Sequence, residues 1–469
     1  MRYDHKLIAL VLMLICCASA TASGDGIDRY VETQMRYLHI PAVSLAVVRD
    51  GRIVKVKGYG LANIEANTAA TPGTVYEIGS MTKQFTAAAV MMLVEEGKIN
   101  LDDKITKYFP EAPPGWNRIT VRHLLNHTSG IQNHVAVPGY LDMFKTSVTG
   151  KSFPSRAELL TEFYKLPSEF EPGETWAYDN TGYYLLGIVV EKASGKDFWQ
   201  FLDERIFRPL EMRATRNTDT RQIVPARASG YEWAGDKFEN RPVLLPFIGF
   251  SAGSILSTVE DMAKWDAALY DEKLLKKSSL KEMWTAAKTR DGGLASFNYG
   301  FGWFVDSYHG HRFVQHSGGT PGFSSVIYRF LDDKLTVIIL SNHSDRFLDQ
   351  LAWSIAGIYV PALKRPEGKI DPDPQTSLKL KEVLANLIDG KHDPGLFTPP
   401  MRVFLTTSTG KGFWQWAAYH GALTSFAFSD REDAGESYLL RYKVSLGGNP
   451  YWFSFRVMKD GKIAQIYNW

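Results

Sequence analysis

The stretch Tyr76-Glu77-Ile78-Gly79-Ser80-Met81-Thr82-Lys83-Gln84-Phe85-Thr86-Ala87-Ala88-Ala89 decides how this chain is read. Ser80 to Glu96 has the pattern of a helix, and Ala87, Ala88, Ala89, Met91, Met92 and Leu93 make it apolar almost all round. A helix of that kind is buried. Gly97 fits its C-cap. Residues three apart share a helix face, so Lys83 stands one turn from Ser80 with its amine near the hydroxyl. A serine hydroxyl is a weak nucleophile until a base takes its proton. A lysine in an Ala- and Met-lined helix loses solvation, and its pKa falls toward the range of a base. The helix N-terminus adds its dipole and free N–H groups at Ser80. An N-cap serine followed by an unrelated lysine has the same pattern, so the neighbouring sequence must decide.

Outward from this helix, Ile27 to Leu38 is a short helix candidate and Val43 to Val48 reads as a strand. Asp50-Gly51 is a hairpin turn, and Ile53 to Gly58 returns as the second strand. From about 100 to 290 the chain is mainly helical, with loops rich in Pro and Gly. Tyr299 to Val305, Arg312 to Gln315, Ser324 to Phe330 and Leu335 to Leu340 then read as consecutive strands, followed by a helix from about Phe347 to Tyr359. Strands at both ends with helices between predict an α+β fold: one antiparallel sheet flanked by helices, with a helical subdomain inserted.

Two more short motifs follow the first in order. Tyr178-Asp179-Asn180 lies in the context Pro172-Gly173-Glu174-Thr175-Trp176-Ala177. A phenol passes a proton when nearby cations lower its pKa. An asparagine can hold a lysine by its oxygen and a substrate carbonyl by its nitrogen. His316-Ser317-Gly318-Gly319-Thr320 follows the strand ending at Gln315. Its glycines let a substrate backbone come close, and its N–H groups are candidates for an oxyanion hole. Taken singly, Tyr-x-Asn is a common structural sequence and the glycine pair a hairpin turn.

Ser-x-x-Lys, Tyr-x-Asn and a (Lys/His)-(Ser/Thr)-Gly element in this order resemble the serine β-lactamase and penicillin-binding protein superfamily, in its class C-related branch. Tyr76 to Gly79 and Leu124-Leu125-Asn126-His127-Thr128-Ser129-Gly130 extend the resemblance, which covers roughly residues 27 to 360. It implies a β-lactamase/transpeptidase-like fold and a serine hydrolase that forms an acyl-enzyme. The substrate would be an amide or ester, such as a D-amino-acid peptide, an ester or, weakly, a β-lactam. By the resemblance, Ser80 is the nucleophile, and Lys83 and Tyr178 share acid and base work in an order left open. Asn180 orients Lys83 and the substrate amide, His316 and Gly318 line the site from the strand, and the N–H groups of Ser80 and Gly319 form the oxyanion hole. No metal or cofactor is implied. The departure is His316, where many serine β-lactamases carry lysine. A largely neutral imidazole holds a substrate carboxylate less strongly, which favours peptides or esters over β-lactams. The other reading is a penicillin-binding-type sensor with little turnover.

Gly249-Phe250-Ser251-Ala252-Gly253 matches the G-x-S-x-G elbow of α/β-hydrolases. It lacks the flanking β-α-β series that motif needs, and reads as a loop entering a helix capped by Thr258. His123, His127 and His134 are close in sequence without the carboxylate or spacing of a zinc site, and read as structural. His309 and His311 flank a hairpin turn and read as solvated.

The chain has 469 residues, 45% of them hydrophobic, with 53 basic and 51 acidic side chains. That balance gives no nucleic-acid surface. Arg2 and Lys6, the 11-residue apolar run Leu7 to Cys17, and Ala18-Ser19-Ala20 read as a signal peptide over residues 1–20. Ala20-Thr21-Ala22 is a second cleavage candidate, and an uncleaved anchor is the alternative. A periplasmic or secreted protein is expected, with no stable membrane span after cleavage. Ile15 before Cys16 argues against a lipid anchor, and Cys16 and Cys17 are the only cysteines. Pro366, Gly368, Pro372 and Pro374 between Pro361 and Ser377 give a linker composition. The expected division is a hydrolase domain over 24–362, a linker over 363–377 and a small α+β domain over 378–469. In the last, Leu378 to Ile388 reads as a helix, and Tyr438 to Leu446, Tyr451 to Val457 and Ile463 to Trp469 as strands. It resembles NTF2-like accessory domains through Lys459-Asp460-Gly461-Lys462-Ile463, and Trp414, Trp416, Tyr438, Tyr442, Tyr451 and Trp452 read as core. The partner is a small-molecule or peptide substrate; the oligomeric state stays open.

Overall fold

Strand Ala42–Arg49 pairs antiparallel with Leu335–Ser341, so distant parts of the chain close on one another in the middle of one sheet. The computed structural model describes residues 26–137, 155–241, 246–344, 348–366 and 369–468. The expected signal peptide lies outside them. The sheet has seven strands in the order Thr68–Ala69, Arg52–Asn63, Ala42–Arg49, Leu335–Ser341, Phe323–Phe330, His311–Thr320 and Phe304–Tyr308. Every pairing between neighbours is antiparallel. Asp50 and Gly51 both have positive φ, 50° and 73°, as a tight two-residue hairpin demands.

Period-two alternation divides the central strands between two cores. Val43, Leu45 and Val47 pack with Ile27, Val31 and Met35 of the helix over 26–37 and with Leu351 and Ile355 of Leu348–Tyr359. Ala42, Ala46 and Val48 face the opposite core, with Phe85, Met262 and Trp265. Because both faces are covered, these strands are apolar runs rather than half-polar ones. In the second core, helix Thr82–Glu95 packs against Asn180–Ser194. A deeply buried ion pair, Arg329 to Asp266 at 2.5 Å, lies beneath the sheet, both side chains fully enclosed.

Several boundaries differ from the sequence reading. A 3-10 turn, Gly79–Met81, precedes the α-helix, so Ser80 sits in the turn that enters it. The His316 to Thr320 motif lies inside strand His311–Thr320, because Phe323–Phe330 pairs with it along its whole length. Its other neighbour begins at Phe304 rather than Tyr299. Residues Pro246–Gly253 are helical, not a loop, broken at Phe250 with φ 38° and ψ −129°.

Beyond the sheet, a small C-terminal α+β domain holds a four-stranded antiparallel sheet, Leu423–Asp433, Ser437–Leu446, Asn449–Met458 and Ile463–Asn468. Helix Pro374–Ile388 starts four residues before the expected Leu378, with Asp373 as N-cap and Pro374 in its first turn. Helices Pro399–Thr406 and Ser408–Tyr419 and the strand Leu423–Asp433 were not legible. Gly410 and Gly412 disguise the second helix; Gly410 is required where its Cβ would lie 2.1 Å from the Phe404 carbonyl oxygen. Trp414 and Tyr442 are core, whereas Trp416, Tyr438 and Tyr451 are only partly buried against it. Trp176, Ala295 and Tyr299 of the larger domain belong to the same buried cluster, so the two domains share apolar core. Among the described residues no helix is long and apolar enough to cross a membrane.

Candidate active site

Ser80 is placed by a close approach between two backbones. Gly79 has φ 49°, and a Cβ on it would lie 2.7 Å from Gly319 N. A Cβ on Gly318 would lie 2.0 Å from Ile78 O. Only glycine fits at either position, so the turn carrying Ser80 lies directly against strand His311–Thr320. Ser325 Oγ ties the two by donating to Ile78 O at 2.8 Å. Strand Phe304–Tyr308 pairs with His311 to Gln315, and beyond Gln315 the strand's outer side has no strand partner among the described residues.

Lys83 is fully buried, and its Nζ has three oxygen neighbours: Asn180 Oδ1 at 2.7 Å, Ala252 O at 2.8 Å and Ser80 Oγ at 3.1 Å. Burial drives its pKa well below the usual amine range, with the nearby Asp179 charge opposing. In the neutral form that burial favours, the amine has two hydrogens and one lone pair. The carbonyl oxygens of Asn180 and Ala252 can only accept, so they take the two hydrogens. The lone pair is then left for the Ser80 hydroxyl, which can donate to it.

Tyr178 lies over Lys83, with Nζ 4.7 Å from the ring centre. Burial raises its phenol far above the normal range, and a hydrogen bond with the Ser80 hydroxyl offsets only part of this. The phenol is therefore protonated at neutral pH. Asn180 holds Lys83 by its oxygen and directs its own N–H and Nδ2 to Asn133 Oδ1, both at 3.2 Å. One Nδ2 hydrogen remains for another acceptor. Asp179 caps helix Asn180–Ser194, accepting from Thr181 N and Gly182 N. Burial raises its carboxyl to about 7 although these N–H groups hold it down.

His316 is buried within its strand. Its Nδ1 lies 2.6 Å from Ser317 O, an acceptor, so Nδ1 carries the hydrogen. Its Nε2 then accepts from Tyr299 Oη at 3.0 Å. Burial, followed by the Lys83 charge, lowers its pKa to about 3. The imidazole is thus a neutral, internally bonded group rather than a cation offered to a substrate. The structure brings Ser80, Lys83, Tyr178, Asn180, His316, Gly318 and Gly319 together at one place.

Sequence reasoning missed Asn133, Tyr299, Ala252 and the part played by His127. Ala252 acts through a backbone carbonyl, which leaves no side-chain signature. It lies in the G-x-S-x-G stretch, where Ser251 is wholly buried and its hydroxyl donates to the carbonyls of Tyr183 and Tyr184. His127 Nδ1 accepts from Asp179 N at 3.1 Å, and its ring lies 4.5 Å from that of Tyr178. His123 Nδ1 accepts from Thr120 N in a capping box, and His134 bonds Thr181. These three histidines serve the local fold. His309 is exposed, as the solvated reading has it, and also faces Asp430 at 3.2 Å; His311 differs from that reading, partly buried against Asp333 at 2.9 Å.

Comparison with known proteins adds a family to this geometry. The Beta-lactamase family profile matches residues 27–358. Penicillin-binding protein 4* of Bacillus subtilis (strain 168) is 30% identical over 318 residues, 64% of this chain and 68% of that protein. Protein flp of Staphylococcus aureus (strain MW2) is 28% identical over 338 residues, 70% of this chain and 65% of its own length. Among solved structures, an octameric penicillin-binding protein homologue from Pyrococcus abyssi shares the fold, with a TM-score of 0.64, 23% identity and coverage of 93% of this chain and 96% of that one. D-amino acid amidase from Ochrobactrum anthropi SV3, solved with L-phenylalanine amide, has a TM-score of 0.59 at 26% identity, covering 74% of this chain and 98% of its own.

Proposed function

Since the chain belongs to the Beta-lactamase family, we propose that it is a serine hydrolase that forms an acyl-enzyme on Ser80 and cleaves an amide or ester. The observation that carries this reading is the placement of the Lys83 amine. It is stripped of water, has two acceptors for its hydrogens, and is 3.1 Å from the Ser80 oxygen.

The reaction follows from those contacts. Lys83 takes the Ser80 proton as Oγ attacks the substrate carbonyl carbon. The carbonyl oxygen becomes an oxyanion facing the N–H groups of Ser80 and Gly319. The Tyr178 phenol gives its proton to the leaving amine or alcohol as the C–N or C–O bond breaks, and recovers one from the Lys83 ammonium. Water then attacks the carbonyl carbon of the ester on Ser80 and loses a proton to the same pair; the C–Oγ bond breaks as the pair returns that proton to Ser80 Oγ, and the acid is released. Asn180 uses its remaining Nδ2 hydrogen on the substrate amide. Lys83 therefore acts as the base and Tyr178 as the shuttle, because burial favours the neutral form of both.

Substrates are read from the same contacts. The neutral His316, bonded to Tyr299, offers no charge to a substrate carboxylate, which favours amides and esters over β-lactams. The D-amino acid amidase likeness supports an amide of a D-amino acid or a short D-peptide as the first compounds to try. The N-terminal sequence supports export to the periplasm or medium. The division into residues 24–362, a linker from 363 and a C-terminal domain ending at 469 belongs to the same reading, with the expected linker end at 377 moved back to Asp373 by the helix that starts at Pro374.

The test is turnover of a series of D- and L-amino acid amides and aryl esters by wild type and Ser80→Ala. Loss of turnover in a variant of unchanged circular dichroism is expected. Wild-type rates in Ser80→Ala would remove the assignment.

A further inference from the structure

The peptide group between Tyr178 and Asp179 is held at both ends, by two different domains. Its N–H, on Asp179, donates to His127 Nδ1 at 3.1 Å within the larger domain. Its C=O, on Tyr178, accepts from Thr409 Oγ1 at 2.9 Å, from the first turn of helix Ser408–Tyr419 in the C-terminal domain. The flanking segment is held from the same side. Thr175 Oγ1 donates to Pro400 O at 2.7 Å, and Ser408 N donates to Glu169 Oε1 at 2.6 Å. Trp176 is buried in the C-terminal core, its ring 6.3 Å from that of Phe404.

We infer that the C-terminal domain is a working part of the active site: through Thr409 it fixes the Tyr178–Asp179 peptide plane and thereby the reach of the Tyr178 phenol to Ser80. This rests on the hydrolase reading above. A peptide plane is rigid, but it turns about its two flanking bonds. The plane joins the Cα of Tyr178 to that of Asp179, the residue before Asn180, so freeing one of its ends loosens the placement of the Tyr178 side chain and of the helix start that carries Asn180, the holder of Lys83. The hydrogen bond to His127 restrains one end, and the larger domain provides that by itself. The other end depends on a residue 231 positions further along the chain. Proton transfer needs hydrogen-bond reach, so a small loss of placement costs rate rather than binding. Thr409 touches no reacting atom and is a positioning residue.

The experiment uses the full chain and an aryl ester or amino acid amide that the wild type turns over. Thr409→Val keeps the shape and removes the donor, and Thr409→Ser restores it. Tyr467→Phe removes a hydrogen bond to Asp306 at the same domain interface, away from Tyr178. Thr409→Val is expected to lower kcat about three- to tenfold, the worth of one hydrogen bond, with KM unchanged. Thr409→Ser should recover the rate, and Tyr467→Phe should keep wild-type kcat. Wild-type kcat in Thr409→Val overturns the inference. So does an equal fall in Thr409→Val and Tyr467→Phe that follows their melting temperatures, since that marks general loosening. Ser80→Ala run alongside separates the two readings. If it is inactive while Thr409→Val is normal, only the domain inference fails. If it is as active as wild type, the hydrolase reading fails and takes this one with it.

Discussion

Lys83 Nζ meets Asn180 Oδ1 at 2.7 Å, joining two helices whose contact residues are 97 positions apart. The bond does more than bind helices together. In the neutral amine that burial favours, Asn180 Oδ1 and Ala252 O take both hydrogens and leave the lone pair on the side of Ser80. Burial favours that state, and the two acceptors give it direction.

Lys83→Met is therefore expected to cut kcat by about 10² to 10⁴-fold, the usual range for losing a general base. In the wild type, rate should fall toward acid pH as the amine protonates. The stability effect has a definite sign. The folded amine has a lowered pKa, so between that value and the unfolded one the unfolded chain binds the extra proton. Stability then rises with pH across that window. The melting temperature of wild type relative to Lys83→Met should increase from pH 7 to pH 10; a flat difference would mean that Lys83 is charged in the fold.

Tyr178→Phe keeps the ring over Lys83 and removes only the phenol. We expect a fall in kcat of about 10² to 10⁴-fold with an unchanged fold, measured by steady-state kinetics and thermal melting. Because burial raises this phenol, wild-type activity should show no alkaline loss from its ionisation near pH 9.

The adjacent glycines should separate structure from access. Gly318→Ala puts a Cβ 2.0 Å from Ile78 O, a backbone atom that cannot turn aside. Overpacking of this kind costs about 1–3 kcal/mol and moves the strand away from Ser80, so melting temperature and kcat/KM should both fall. Gly319→Ala has nothing within 4 Å of its Cβ. It should melt like wild type, and any loss should appear in kcat/KM.

Acid should unfold the protein early. Burial lowers His123 to about 4, His134 and His316 to about 3, and His127 well below the normal range. Each is neutral when folded and takes a proton on unfolding below about pH 6.5, so stability falls as pH drops through that value. Asp179, raised to about 7, acts in the opposite sense, as do Glu77 and Asp306. Four imidazoles outweigh three carboxyls, and net proton uptake on unfolding at pH 5 is expected by calorimetry in two buffers of different ionisation heat. Net proton release would contradict the buried neutral imidazoles.

What could be read beforehand follows from where information resides. Ser80, Lys83, Tyr178 and Asn180 belong to short motifs with fixed spacing, and the hairpin at Asp50-Gly51 announces its own turn. The Ala252 carbonyl, the Tyr299 hydroxyl on His316 and the Thr409 hydroxyl on Tyr178 act across long separations, through groups with no local pattern. The helices around Thr409 were hidden by Gly410 and Gly412, both poor helix formers; Gly410 is kept for its close approach to Phe404 O, whereas Gly412 has open space around it. The strand boundary at His316 was missed because Ser-Gly-Gly reads as a turn, whereas pairing with Phe323–Phe330 holds it extended.

The most direct test of the central claim is intact-protein mass spectrometry after brief exposure to an activated ester, a penicillin and a D-amino acid peptide. The account predicts an acyl adduct on wild type, located at Ser80 by peptide mapping and absent from Ser80→Ala, that disappears as substrate is consumed. An adduct that persists unchanged on Ser80→Ala, or maps to another residue, would contradict it.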